Sequence, residues 1–270
     1  MSPAIEKCTV QNGDVRIPVL RGGRGRPLVF CPGLMSTQAD VHELIELLRG
    51  EHDVITFDLR GHGLTSFDGR LSFDTLLADV AAVMAHVSRL ELTSAPVLVG
   101  HSLGADLVVH YAARYPDTFS EVVVIDGANP IPAPFITAAD RPMFRTLWEN
   151  FVQWQGTVTN HRHQVRLSAQ QILDLNIELD ALRHGILERY REIDCAVRMI
   201  MATSMAGLGE EGSTVRYNRL WRAGIDRLIR DQPHIDVTWI DATHALVITH
   251  AAQIAQIIGN RVASERPVGE

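Results

Sequence analysis

The sequence predicts an α/β fold: a mostly parallel central sheet with helices on both faces and a helical insertion. Three observations carry this. Short apolar runs alternate with amphipathic stretches through the first half of the chain. One run ends on a serine held between two glycines. A long stretch without strand character then interrupts the alternation before it resumes.

The elements follow in order. R-P-L-V-F-C (26–31) reads as a buried strand, and 39–49 has apolar residues at helical spacing. H-D-V-I-T-F-D (52–58) is the next strand, and Leu76 to Leu90 a second amphipathic helix leading into P-V-L-V-G. Leu103 to Tyr115 is a third helix, stopped by Pro116, and E-V-V-V-I-D (121–126) another buried strand. From Asn129 to Ile193 three prolines precede a helix-prone stretch that contains Trp148, Phe151 and Trp154. The alternation returns with V-R-M-I-M-A (197–202), a helix over 215–230, the strand I-D-V-T-W-I-D (235–241) and a last helix from His250. Residues 1–128 and 194–270 therefore read as one core domain, and 129–193 as a helical cap, or lid, inserted into it. Such a cap would cover the carboxyl edge of the sheet, where open α/β sheets bind ligands.

Bulk properties narrow the function. The chain has 270 residues, a net charge of −7 and 46% hydrophobic residues. No basic stripe is available to neutralise phosphates, which argues against nucleic acid as a partner. Cys8, Cys31 and Cys195 are sparse and far apart, as expected of reduced thiols in a cytoplasmic protein rather than a disulfide framework. Neither a signal-peptide core nor a membrane-spanning apolar run is present in the sequence. There is no H-E-x-x-H motif and no Cys/His array, so neither metal nor cofactor is expected. Gly22-Gly23-Arg24-Gly25 precedes a strand instead of joining strand to helix, and reads as a loop rather than a phosphate cradle. The expected partner is a small-molecule substrate. Nothing in the sequence sets the oligomeric state, a homodimer included.

Gly100-His101-Ser102-Leu103-Gly104 is a G-x-S-x-G sequence with a strand before it and a helix after it. The glycines have a steric reason: at a strained strand-to-helix turn, side chains flanking the serine would collide with neighbouring backbone. Ser102 is thus the candidate nucleophile. A serine hydroxyl needs a base to take its proton, and the base needs a third group to orient it.

With this elbow, Cys31-Pro32-Gly33-Leu34, Asp58-Leu59-Arg60-Gly61-His62-Gly63-Leu64-Thr65-Ser66 and Thr243-His244-Ala245, the chain resembles the α/β-hydrolase superfamily over nearly its whole length. The resemblance implies backbone N–H groups of Leu34 and Leu103 as an oxyanion hole, Pro32 replacing the more usual histidine without touching that backbone role. It implies His244, just after the last strand, as the base. His62 reads as structural, and His101 as pointing away from the serine. Many members carry their acid shortly after the penultimate strand, but this chain has Thr203, Ser204 and Met205 there, with Glu210 and Glu211 several residues late. Some members place it one strand earlier, among them haloalkane dehalogenases, a zearalenone-type lactonase and cofactor-free quinolone dioxygenases. Asp126, ending E-V-V-V-I-D, is accordingly preferred, with Glu210 and Glu211 as alternatives.

The resulting expectation is a serine hydrolase. It would cleave an ester, lactone or thioester of a small apolar or aromatic molecule through an acyl-enzyme. Trp148, Phe151 and Trp154, with Met143, are the candidate substrate-binding side chains. Ser102 rules out the branches that use an aspartate nucleophile. Two alternatives remain at this stage: a cofactor-free dioxygenase or lyase on the same fold, and a non-catalytic receptor for a small ligand.

Overall fold

The computed structural model describes residues 5–209 and 211–260. Its centre is an eight-stranded sheet ordered β1-β2-β4-β3-β5-β6-β7-β8. The strands are β1 (Glu6–Asn12), β2 (Val15–Gly23), β3 (Arg26–Cys31), β4 (His52–Phe57), β5 (Val97–His101), β6 (Glu121–Ile125), β7 (Ala196–Ala202) and β8 (Asp236–Ile240). From β4 to β8 all neighbours pair in parallel, while β2 runs antiparallel to both β1 and β4. The hydrolase-type sheet expected from the sequence is therefore present.

Alternation within each strand divides the core between the two faces of the sheet. Leu28 and Phe30 of β3, Val97 and Val99 of β5, and Val123 and Ile125 of β6 pack on one side. They meet α1 (His42–Arg49), α8 (Leu246–Thr249) and α9 (Ala251–Gly259) through Leu44, Ile45, Leu48, Leu246 and Ile254. Val29, Leu98, Val122 and Val124 point to the other side. There they pack with α2 (Phe73–Val87), α3 (Leu103–Arg114) and α7 (Gly212–Asp231). Strands buried on both faces need no polar positions, so the central runs read as unbroken Val, Leu and Ile.

The β1–β2 hairpin lies outside the strands that the apolar pattern marks. β1 is mostly exposed, so it lacks the apolar run that marks the central strands. The signal that could have found it is Asn12-Gly13-Asp14, where Gly13 takes φ 58° at a turn that L-residues enter at a cost. Helix α2 begins at Phe73, three residues earlier than expected, because Ser72 and Thr75 form a reciprocal cap.

Between β6 and β7 lie α4 (Arg141–Gln155), a 3₁₀ turn (His161–His163), α5 (Ala169–His184) and α6 (Leu187–Arg191). This segment carries no strand, only an isolated bridge between His62 and Val165. It is fastened to the rest of the chain at named points. The Tyr190 hydroxyl donates to Ala128 O at 2.8 Å, and the Phe73 N–H donates to Glu178 at 3.0 Å. The Arg183 guanidinium grips Asp106 on α3 through two hydrogen bonds.

Candidate active site

The parallel strands β5, β6 and β8 end on one edge of the sheet, and Ser102, Asp126 and His244 follow them. Ser102 caps α3 with φ 54° and ψ −121°. Its N–H donates to Ile125 O of the neighbouring strand at 2.9 Å, and its carbonyl accepts the Ala105 N–H at 2.9 Å. The glycines of the elbow answer to close approach rather than to flexibility. A Cβ on Gly104 would stand 2.2 Å from Cys31 O, and one on Gly100 would stand 2.3 Å from Gly104 O. Any side chain at either position would force β3, β5 and α3 apart.

Asp126 follows β6 with φ 43° and is fully buried. Its N–H donates to Ile200 O at 2.9 Å. Oδ2 accepts a hydrogen bond from His244 Nδ1 at 2.7 Å. Oδ1 accepts two more, from Ala202 N–H at 3.1 Å and from the Trp221 indole Nε1–H at 2.8 Å. On the far side of the imidazole, His244 Nε2 lies 2.8 Å from Ser102 Oγ. A carboxylate only accepts, so Nδ1 carries the proton and Nε2 is free to take the serine's. The structure thus brings Ser102, His244 and Asp126 into one hydrogen-bonded line. Glu211 lies exposed at the N-terminus of α7, while Glu210 lies outside the described residues.

The two expected oxyanion donors, Leu34 and Leu103, line the same cavity as Ser102. Leu103 is the first residue of α3, so its N–H has no acceptor within the helix. The carbonyl of Leu34 accepts a hydrogen bond from His62 Nε2 at 2.5 Å, which fixes the peptide after β3 beside the elbow. His62 is fully buried and tethers this loop instead of facing the serine.

His101 is not idle. Its ring lies 5.1 Å, centroid to centroid, from that of His244, and its Nε2 donates to His244 O at 3.2 Å. Burial, with the neighbouring His244 as the next cause, pushes its pKa down to about 3, so it stays neutral. The sequence alone did not suggest this contact.

Ser102, His101 and His244 open onto a cavity of about 600 Å³. Its wall includes Leu34, Met35, Leu103, Phe135, Ile136 and Phe144 among the apolar residues. Of the three aromatic side chains singled out from the sequence, Trp148 lines the cavity, one helical turn beyond Phe144. Phe151 and Trp154 do not. Phe151 shares the buried face of α4 with Phe144 and Trp148 but packs half-buried against the core one turn further along, outside the cavity lining, while Trp154 falls off that face and is 57% exposed. Met143 is likewise exposed, at 43%. An aromatic-rich run on an amphipathic helix spreads around the axis at 100° per residue, so only part of it can face one cavity.

Away from the reacting side chains, polar lining includes Ser36, Thr243 and, on α5, Asn176, Asp180 and Arg183, which share a face at spacings of four and three. Asp180 is held by the N–H groups of Phe135 and Ile136. The periodicity of 176, 179, 180 and 183 was visible in the sequence, but not which face turns inward. Among the described residues, no group of three or more His, Cys, Asp or Glu could hold a metal ion. No helix there is long and apolar enough to cross a membrane.

Comparison with known proteins adds the family context. Residues 26–170, more than half of the chain, match a family model described as alpha/beta hydrolase fold. The chain is 30% identical over 243 residues to the sn-1-specific diacylglycerol lipase ABHD11 of Danio rerio, covering 86% of this chain and 66% of that protein. It is 34% identical over 122 residues to a 2-(acetamidomethylene)succinate hydrolase of Mesorhizobium japonicum, covering 43% of this chain and 41% of that one. It thus spans less than two thirds of the length of these curated relatives. Among solved structures, a bromoperoxidase from Bacillus anthracis superposes with a TM-score of 0.72 at 18% identity, covering 94% of this chain and 98% of that one.

Proposed function

We propose, from the premise that the chain belongs to the alpha/beta hydrolase fold family, that it is a serine hydrolase acting on carboxylic esters. The observation that carries this reading is the unbroken line from Asp126 through His244 to Ser102, with distances of 2.7 and 2.8 Å. Its position on the wall of a largely apolar cavity supports a small substrate with an apolar or aromatic part, joined as an ester, lactone or thioester. The name of one relative, a diacylglycerol lipase, supports ester hydrolysis.

In this mechanism His244 Nε2 takes the proton of Ser102 as Oγ attacks the acyl carbon. The Leu34 and Leu103 N–H groups receive the negative charge that develops on the carbonyl oxygen. His244 then protonates the leaving oxygen or sulfur, and the acyl group stays on Ser102. Water, deprotonated by the same nitrogen, attacks the ester and regenerates the serine. Asp126 holds the Nδ1–H tautomer and stabilises the imidazolium at each proton transfer. Residues 129–193 act as a cap over the reacting centre, inserted into the core formed by 1–128 and 194–270.

The test is a panel of p-nitrophenyl esters, lactones and acyl-thioesters run on four proteins: the native enzyme, Ser102→Ala, Asp126→Asn and Glu211→Gln. Turnover of one class by the native enzyme, its abolition in Ser102→Ala and a loss of orders of magnitude in Asp126→Asn are expected. Glu211→Gln should match the native enzyme. Near-native turnover in Ser102→Ala overturns the nucleophile, and in Asp126→Asn the acid.

A further inference from the structure

We propose that Trp221 is a positioning residue for the acid, an inference that rests on the role given to Asp126 above. Asp126 follows β6 in a conformation L-residues seldom adopt. Among the described residues a single backbone N–H, from Ala202, reaches Oδ1, at 3.1 Å. The shorter bond to that oxygen, 2.8 Å, is from the indole Nε1–H of Trp221, 95 residues further on. With Oδ1 held by two donors, the carboxylate cannot rotate about its Cβ–Cγ bond, and Oδ2 is left pointing at His244. A neutral donor also spreads the negative charge without offering a proton that Asp126 could take.

The ring itself is fixed from several directions. Trp221 is 3% exposed and meets the His244 ring edge-on, at 86° and 6.4 Å between centroids. Arg183 Cζ stands 5.5 Å from its centroid, over the ring. Helix α7 is pinned at this turn, because the Asn129 side-chain amide donates to Trp221 O at 2.7 Å. That approach depends on Gly224, where a Cβ would come within 1.9 Å of Asn129 Oδ1. The loop that begins at Asp126 thus carries, three residues later, the side chain that holds the indole in place.

The charged and titratable groups packed round the pair are few. They are Asp126 after β6, His244 after β8, Arg183 and Asp180 on α5 with Asp106 on α3, and His101 at the end of β5. Trp221→Phe keeps an aromatic ring among them and removes only the N–H and part of the bulk. Replacing Trp221 by benzothienylalanine, which has sulfur in place of the N–H, keeps the whole bicycle.

Expected of a folded variant is a kcat lower by about tenfold to a hundredfold, as for loss of a hydrogen bond to a charged group. KM should stay within about threefold, since the indole donor is spent on the carboxylate and not on the substrate. Without the donor, Asp126 concentrates its charge and holds the imidazolium more strongly, so the acid limb of kcat/KM moves to higher pH. The low-field proton resonance of His244 Nδ1–H should move with it, and simple loss of packing would move neither. Native kcat and an unmoved acid limb in folded Trp221→Phe, or in the benzothienylalanine protein should the first not fold, overturn the proposal. Asp126→Asn is run alongside. If it is inactive while the Trp221 variants are native-like, the positioning role alone fails; if it is active, the acid assignment beneath it fails.

Discussion

Ser102 and Asp126, which follow neighbouring strands, both take a positive φ that L-residues rarely adopt, 54° and 43°. Each is held there by its own N–H: Ser102 donates to Ile125 O, and Asp126 to Ile200 O. The sheet thereby imposes the geometry that lifts both side chains toward His244. Such positions cost about 1–3 kcal/mol each. Removing Cβ at Ser102 should return part of that, less about 0.5–1 kcal/mol for the extra chain entropy of glycine. Ser102→Gly is therefore expected to be more stable than Ser102→Ala by about 1 kcal/mol, both being inactive. Urea denaturation of the two variants measures the difference, and a midpoint lower for Ser102→Gly by the entropy cost of glycine, about 0.5–1 kcal/mol, would mean that the elbow stores no strain.

The same relationship explains what could be read from the sequence. Steric rules are local, so V-L-V-G-H-S-L-G announced the turn, and the alternation of strands and helices announced the sheet edge on which its serine stands. Asp126 and His244 were legible for the same reason, since each immediately follows a buried strand. Trp221, Arg183 and His101 were not. The contacts of Trp221 and Arg183 depend on which face α7 and α5 turn toward the sheet, and an amphipathic pattern gives the period of a helix without its neighbours; that of His101 depends on where the turn after β8 sets His244. Phe151 and Trp154 mark the same gap from the other side: Phe151 shares a face with Trp148 yet lies a turn beyond the cavity, and Trp154 faces solvent.

That correction makes a direct prediction for substrate binding. Trp148→Leu should raise KM for apolar esters about tenfold, since losing part of an apolar wall costs about 1–3 kcal/mol. Trp154→Ser should leave KM unchanged, its ring being mostly in solvent. Steady-state kinetics on one ester series tests both. Equal effects would mean that α4 presents a different face to the substrate.

Asp106 lies one helical turn beyond Ser102 on α3, and Arg183 reaches it from α5 through Nε at 2.9 Å and through Nη2. The pair ties the helical segment to the helix that carries the nucleophile. Both side chains are largely buried, so removing one partner strands a charge. Arg183→Met is expected to cost about 3–5 kcal/mol of stability. The double change Asp106→Leu with Arg183→Met should recover most of it, because nothing ionic is then left buried. Denaturant midpoints for the two proteins decide the matter, and a double variant no better than the single one would place the cost in packing rather than charge.

His101 should make stability depend on pH. Its pKa in the folded chain is pushed down to about 3 by burial, then by His244, against an ordinary value near 6.5. Above pH 6.5 neither state carries the proton, and the residue contributes no pH dependence. Below that the unfolded chain binds a proton that the folded chain refuses. Stability then falls with falling pH, by about 1.4 kcal/mol per unit once the unfolded histidine is fully protonated, until the folded value is reached. His52 and His110, also lowered chiefly by burial, add to the slope in the same direction. Glutamine can place an amide N–H near the position of Nε2 and keep a donor for His244 O, but it does not titrate. His101→Gln should therefore be less stable than the native protein at pH 7 through lost packing, and should approach it as the pH falls from 6.5 toward 4.5. Urea denaturation across that range measures the slopes, and parallel curves would mean that His101 takes up its proton in the folded state as readily as in the unfolded one.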